Sequence, residues 1–362
     1  MLTLTPKVTA KVRLKAAVKA GVSSLLVSSG VDRLIGRRYG GQGVLLMFHE
    51  FVTSTRDTLG QGCSIADFEA ILAALKASGR DFVTCDEALR RLHDPAARPF
   101  AALTFDDGYR SNIDLALPVM QRYSAPATIF VPTGMVDRSI NAWWLALREL
   151  ALTCDTIDME PMGVRLQCSS FEAKHAALDC MTAWVWQDFS RALDLGSLFA
   201  RHGVSMPALV DRLALDEAGV QAADRHPLIE IGAHTTTHRA LRLLSPDEVA
   251  ADIGENKRYL ETLLGRPVGW FAYPYGPPSI GGTREAEIVR KLGFRGAVTT
   301  DPGALFPAQA AAPFLLPRQN AEVPAAPVAH ALAGANGVFR ALATRFGPPF
   351  DVPALDGQGD LT

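Results

Sequence analysis

The chain has 362 residues, 48% of them apolar and 20% charged, which is ordinary globular composition with length for one large domain or two smaller ones. A net charge of −2 offers no bulk attraction for nucleic acid. Five scattered cysteines without a CxxC pair suggest neither a disulfide framework nor a cysteine-based zinc site, and no stretch is long enough for a transmembrane helix.

The first residues are basic, with Lys7, Lys11, Arg13, Lys15 and Lys19. The uncharged stretch that follows, AGVSSLLVSSGV, is short and broken by Gly and Ser. It reads as part of a basic helical segment over residues 1–42 of a cytoplasmic protein rather than as a secretion signal, with a helix lying on a membrane surface as a further reading.

GVLLMFHE (43–50) is an apolar run closed by His49 and Glu50, the pattern of a buried strand. SIADFEAILAALKASG follows as a helix, capped by Ser64 with Asp67 three residues on and ended by Gly79; Phe68, Ile71, Leu72 and Leu75 share one face. DFVT (81–84), AALTFDD (101–107) and ATIFVPT (127–133) read as strands, with helices at CDEALRRL and NIDLALPVMQRY, the latter kinked by Pro118. Residues 134 to about 226 break this rhythm and concentrate Trp143, Trp144, Trp184 and Trp186; they read as a helical insertion. Two roles stay open for it: helices packed on the sheet, or a cap whose exposed aromatics stack on a flat ligand face.

The alternation resumes at LIEIGAH (228–234). The next helix is strongly marked: Ser245 caps, Pro246 is its first residue, Glu248 closes the capping box and Gly265 ends it. WFAYPYG (270–276), FRGAVTT (294–300) and FLLPRQ (314–319) read as further strands, and the Ala/Pro-rich C-terminus as one short helix near Val328–Leu332 and a loose tail. Such alternation favours a parallel sheet covered by helices, with chemistry at the C-terminal strand ends. His49 and the Asp106–Asp107 pair fall at such ends.

Two adjacent carboxylates closing a buried strand need a partner, because burial of either charge is costly unless it is paired. GAHTTTH supplies one. His234 and His238, separated by three residues, would face the same way in a helical turn, and two neutral imidazoles with a carboxylate make a three-ligand site with an open position for water. One Asp can then be a ligand while the other takes a proton.

TFDDG (Thr104–Gly108), HTTTH (His234–His238) and FAYPYG (Phe271–Gly276) resemble, in order, three motifs of the polysaccharide deacetylases, carbohydrate esterase family 4, which includes chitooligosaccharide deacetylases. LMFHE around His49 and LPRQ around Arg318 are similar to features of its bacterial members. The resemblance implies an α/β fold, a distorted (β/α) barrel, here over residues 43–320 with the helical insertion at about 135–226, flanked by the segments 1–42 and 321–362. It implies that Asp106 is the general base, that Asp107, His234 and His238 hold a divalent metal (zinc first, with cobalt, manganese or nickel as alternatives), and that Tyr275 lines the substrate groove and offers its backbone N–H to the oxyanion. The chain departs from the family pattern at Ala272, where an arginine often orients the catalytic Asp; Arg318 is the candidate replacement. The family's late histidine, the general acid, is not readable either, and His49 and His330 are the candidates.

The function implied is metal-dependent removal of N-acetyl groups from an oligo- or polysaccharide containing N-acetylhexosamine, by a cytoplasmic enzyme, with a membrane-peripheral one as a further reading. Hydrolysis of a small non-sugar amide or imide, and a catalytically silent glycan-binding protein, are the alternatives.

Overall fold

The computed structural model describes residues 2–3, 20–276, 282–323 and 325–351. The expectations for residues 4–19 and for the tail beyond 351 lie outside the described residues.

Eight parallel strands form the sheet: β1 (Gly43–Phe48), β2 (Asp81–Val83), β3 (Phe100–Phe105), β4 (Ala127–Val131), β5 (Ile229–Ala233), β6 (Trp270–Ala272), β7 (Gly296–Val298) and β8 (Gln319–Asn320). Their order is β7-β6-β5-β4-β3-β1-β8, and β2 shares with β4 the second edge of β3. The sheet curls until its two ends meet. Leu316, just before β8, exchanges hydrogen bonds with Ala297 and Thr299 at the end of β7, while Gln319 and Asn320 pair with Leu46 and Met47 of β1. This is the distorted (β/α) barrel implied by the motifs.

Alternation along each strand builds two cores, since successive side chains point to opposite faces. Val44, Leu46, Phe48, Leu103, Phe105, Ile129, Val131, Ile231 and Phe271 point outward, where the helix Ile65–Ala77 adds Phe68, Ile71, Leu72 and Leu75 as its periodicity predicts. Leu45, Phe100, Ala102, Phe130, Trp270, Ala272, Val298 and Leu316 fill the lumen. Lumen space is shared between large and absent side chains. Gly43, Gly232 and Gly296 are register partners of Phe100, Phe130 and Trp270, and a Cβ on any of them would fall 2.3–2.5 Å from the partner ring.

The capping box of Ser245 and Glu248 forms as predicted, on the helix Pro246–Leu264, with Gly265 left-handed behind it. The kink expected at Pro118 is instead a change of winding: residues Asn112–Ala116 form a π-helical turn that passes into the α-helix Leu117–Tyr123. The intervening region has its own apolar core, including Leu147, Leu150, Met181, Val185 and Phe199. Besides the helices Trp143–Thr153 and Phe171–Gln187 it contains an antiparallel pair, Thr156–Met159 with Val164–Gln167, which periodicity did not reveal; Leu2–Thr3 adds a third, parallel strand. Two C-terminal helices form where one was expected, Pro327–Ala335 and Val338–Ala343, and they pack on the helix Val31–Tyr39.

Candidate functional site

Every candidate except Arg318 and His330 sits just beyond the C-terminal end of a barrel strand. His49 follows β1, Asp106 and Asp107 follow β3, His234 follows β5, Tyr275 lies three residues after β6, and Arg318 immediately precedes β8.

Arg318 is fully buried, and its guanidinium grips Asp106 in a fork: Nη1 to Oδ1 and Nη2 to Oδ2, both 2.7 Å. Nη1 also donates to Thr104 Oγ1 and Nε to the carbonyl of Thr299, so the guanidinium plane is fixed from three sides. Burial pushes the Asp106 carboxyl up, but the adjoining Arg318 and the neighbouring histidines outweigh it and hold the group below its usual range. The arginine missing at Ala272 thus enters from another strand.

Asp107 Oδ1 lies 3.2 Å from His238 Nε2 and 3.6 Å from His234 Nε2. The three donor atoms are all within 4.8 Å of one another and belong to buried residues. Ligands at ~2.0–2.2 Å from a common cation stand at such separations. His234 Nδ1 is 2.7 Å from the carbonyl of Ala272, which as acceptor fixes the proton on Nδ1 and leaves Nε2 with a lone pair toward Asp107. Burial, reinforced by His238, lowers the His234 pKa to about 4, so this imidazole is neutral at neutral pH. Asp107 Oδ1 and His238 Nδ1 are buried with no hydrogen-bond partner among the described residues. A buried orphan carboxylate oxygen facing two imidazole nitrogens fits a divalent cation.

The backbone here is strained. Asp107, Thr235, His238 and Tyr275 all have positive φ, between 53° and 72°, a conformation that β-branched Thr235 rarely adopts. This corrects one expectation: HTTTH is a looped turn, not a helical one, and His234 and His238 converge through the reversals at Thr235 and His238. Two residues of the helix Pro246–Leu264 hold the loop in place. Asp252 accepts from the backbone N–H groups of Thr236 and Thr237 and from the Thr237 hydroxyl, while Asn256 accepts from the N–H of His234 and donates to the carbonyl of Val131. The strand-end loop of Asp107 is pinned likewise, by backbone bonds from Leu215 to Gly108 and from Arg110 to Leu213.

His49 faces Asp106, with Nε2 3.9 Å from Oδ2. Its Nδ1 donates to Glu322 Oε2 at 2.8 Å, and its backbone N–H to Oε1 at 2.6 Å. Burial alone would lower its pKa, but Glu322 and the two aspartates raise it to about 10, leaving the imidazole charged at neutral pH. His330 is elsewhere: it is fully buried against Gln319 and Phe339, and Gln319 points from the face of β8 opposite to Arg318.

The insertion provides an aromatic wall. The Trp144 ring stands 4.9 Å and the Tyr275 ring 4.8 Å from the His238 ring. Trp143 Nε1 donates to the Tyr275 hydroxyl and Trp144 Nε1 to the Tyr109 hydroxyl, each at 3.0 Å. Phe189 and Trp186 pack on the far side of Tyr275, and Trp186 is 47% exposed. Arg148, from the same insertion, pairs with Glu50 beside His49, both side chains buried. Among the described residues the N–H of Tyr275 has no hydrogen-bond partner.

Asp252, Asn256, Glu322 and the Glu50–Arg148 pair escaped the sequence reading. Asp252 and Asn256 carried a faint signal, two polar residues four apart and on one side of a helix; Glu322 and Arg148 carried none.

The family model for polysaccharide deacetylase matches residues 93–297. YxkH of Bacillus subtilis (strain 168), named as a polysaccharide deacetylase, is 22% identical over 240 residues, which is 66% of this chain; the chain spans 58% of that relative's length. The fold is similar to IcaB from Ammonifex degensii (TM-score 0.51, 20% identity, 81% of this chain and 97% of that one). It is also similar to the Streptococcus pyogenes deacetylase PplD, solved in complex with acetate (TM-score 0.50, 20% identity, 76% and 90%). With more than half of its length matched by the family model, the chain belongs to the polysaccharide deacetylase family.

Proposed function

We propose that the protein hydrolyses the N-acetyl group of N-acetylhexosamine units in an oligo- or polysaccharide, releasing acetate and leaving a free amine. The observation that carries this reading is one ionised carboxylate, Asp106, locked by Arg318 directly beside the Asp107–His234–His238 donor set.

Asp107, His234 and His238 would hold the divalent cation, and zinc suits two imidazoles and a carboxylate. When bound, such an ion supplies a Lewis acid that makes water nucleophilic near neutral pH. Asp106 takes the proton of the attacking water; Arg318 keeps it ionised and aimed, so the base needs no reorganisation. The N–H of Tyr275, without a hydrogen-bond partner among the described residues, would donate to the oxyanion, a contribution of about 3 kcal/mol for one donor. An amide nitrogen leaves only when protonated. His49 donates that proton, and Glu322 keeps it charged until then.

The exposed face of Trp186, beside Tyr275, supports a sugar rather than a small imide, since an open aromatic surface accepts a pyranose ring. We take residues 43–320 as the catalytic unit carrying the insertion at about 135–226. Five free cysteines suit a cytoplasmic protein. The test is acetate release from N-acetylglucosamine oligomers before chelation, after it, and after zinc is restored. Release that stops with chelator and returns with zinc supports the reading; no release from any N-acetylated glycan under loaded conditions overturns it.

A further inference from the structure

The site leaves unused the corner where the N-terminal and C-terminal helices meet. Residues 1–42 carry eight Lys or Arg and one Asp, a net charge of +7 against −2 for the whole chain, so the remaining residues carry −9. The single acid, Asp32, is buried in the helix Val31–Tyr39 and accepts a hydrogen bond from Asn336 Nδ2 at 2.6 Å. Arg33, Arg37 and Arg38 on the same helix are exposed, as is Arg345 beyond the helix packed against it. Among the described residues no ion pair engages Arg33, Arg37 or Arg345.

These segments and the helical stretch just before Gly30 hold six of the nine large exposed apolar residues among those described: Val22, Leu25, Val31, Leu34, Leu342 and Phe346. Leu25 and Leu34 are 68% and 61% exposed, Leu34 on the side of its helix away from the buried Asp32 and Tyr39. No helix among the described residues is long and apolar enough to cross a membrane. Exposed leucines interleaved along the chain with arginines that no ion pair engages match what an anionic bilayer surface binds: apolar side chains enter the headgroup boundary while cations meet lipid phosphates. A symmetric second copy fits poorly, because it would set like charges face to face.

We infer that the exposed surface of residues 22–38, through Leu25 and Leu34 with Arg33 and Arg37, docks the protein on an anionic lipid bilayer.

The test is co-sedimentation of the full chain with phosphatidylcholine vesicles, with and without roughly a quarter phosphatidylglycerol; we expect about tenfold or greater preference for the anionic vesicles, falling as salt rises. The double variants R33E/R37E and L25D/L34D should each lose that preference, while their thermal unfolding midpoints stay at the wild-type value because all four side chains are solvent-exposed. Equal partition to both vesicles overturns the inference, as do variants that bind like the wild type. A dimer in sedimentation velocity that L25D/L34D dissociates assigns the face to a second copy and overturns it equally.

Discussion

Arg318 and Asp106, 212 residues apart in the chain, meet in the barrel lumen through two hydrogen bonds of 2.7 Å each. The pair is buried on both sides, so it acts on geometry and on charge together. A lysine carries the charge without the fork. Arg318→Lys should lower kcat by about 100-fold while bound metal is unchanged. Arg318→Leu leaves a buried, uncompensated carboxylate and should cost about 3–5 kcal/mol of stability in denaturant titration. Unchanged turnover in the lysine variant would remove Arg318 from the site.

Asp106→Asn preserves shape and hydrogen bonding but removes the proton acceptor. Acetate release should fall by about 10²–10⁴-fold, with metal content by elemental analysis equal to the wild type. Asp107→Asn should do the reverse in one respect, losing the metal along with activity. A variant of Asp106 that turns over normally refutes its role as base.

Glu322 sets the charge on His49. With the folded pKa raised to about 10, the imidazole is protonated through neutral pH, and its ion pair contributes stability below its ordinary pKa near 6.5 that is lost as pH rises through the raised value. Glu322→Gln lowers that upper limit. The basic limb of the kcat–pH profile should move downward, and titration of His49 by NMR should move with it. A basic limb that stays in place in Glu322→Gln would show that another group donates the proton.

Asp252 reaches none of the donor atoms, yet three hydrogen bonds from Thr236 and Thr237 end on its carboxylate. Asp252→Ala frees the strained turn between the two histidines. Metal affinity should fall by about 10–100-fold in competition with a chelating dye, and excess metal should restore most of the activity. Unaltered affinity would mean that Thr235 and His238 hold their left-handed backbone unaided.

Much of the barrel was legible because its signals are local. Strand–helix alternation, the caps at Ser64 and Ser245, and carboxylates at the end of an apolar run each depend on residues within a few positions. The donor set was legible by resemblance, and so was Arg318, as the replacement for a missing residue. What stayed hidden depends on pairing across the chain. Nothing near Glu322 says that it meets His49, and nothing near Arg148 says that it meets Glu50. The turn at HTTTH misled because a spacing of three suits a helix as well as a loop, and only the positive φ values at Thr235 and His238 separate the two. The short paired strands Thr156–Met159 and Val164–Gln167 were hidden within a region whose helices dominate its pattern.

The guanidinium that grips Asp106 comes from the residue just before β8, the strand that closes the ring, and so from the far end of the barrel's sequence. The chain up to His238 therefore carries both aspartates and both histidines but not the guanidinium that fixes Asp106. On the proposed function, a chain cut between His238 and Arg318 would keep Asp107, His234 and His238 and lose the partner that orients Asp106.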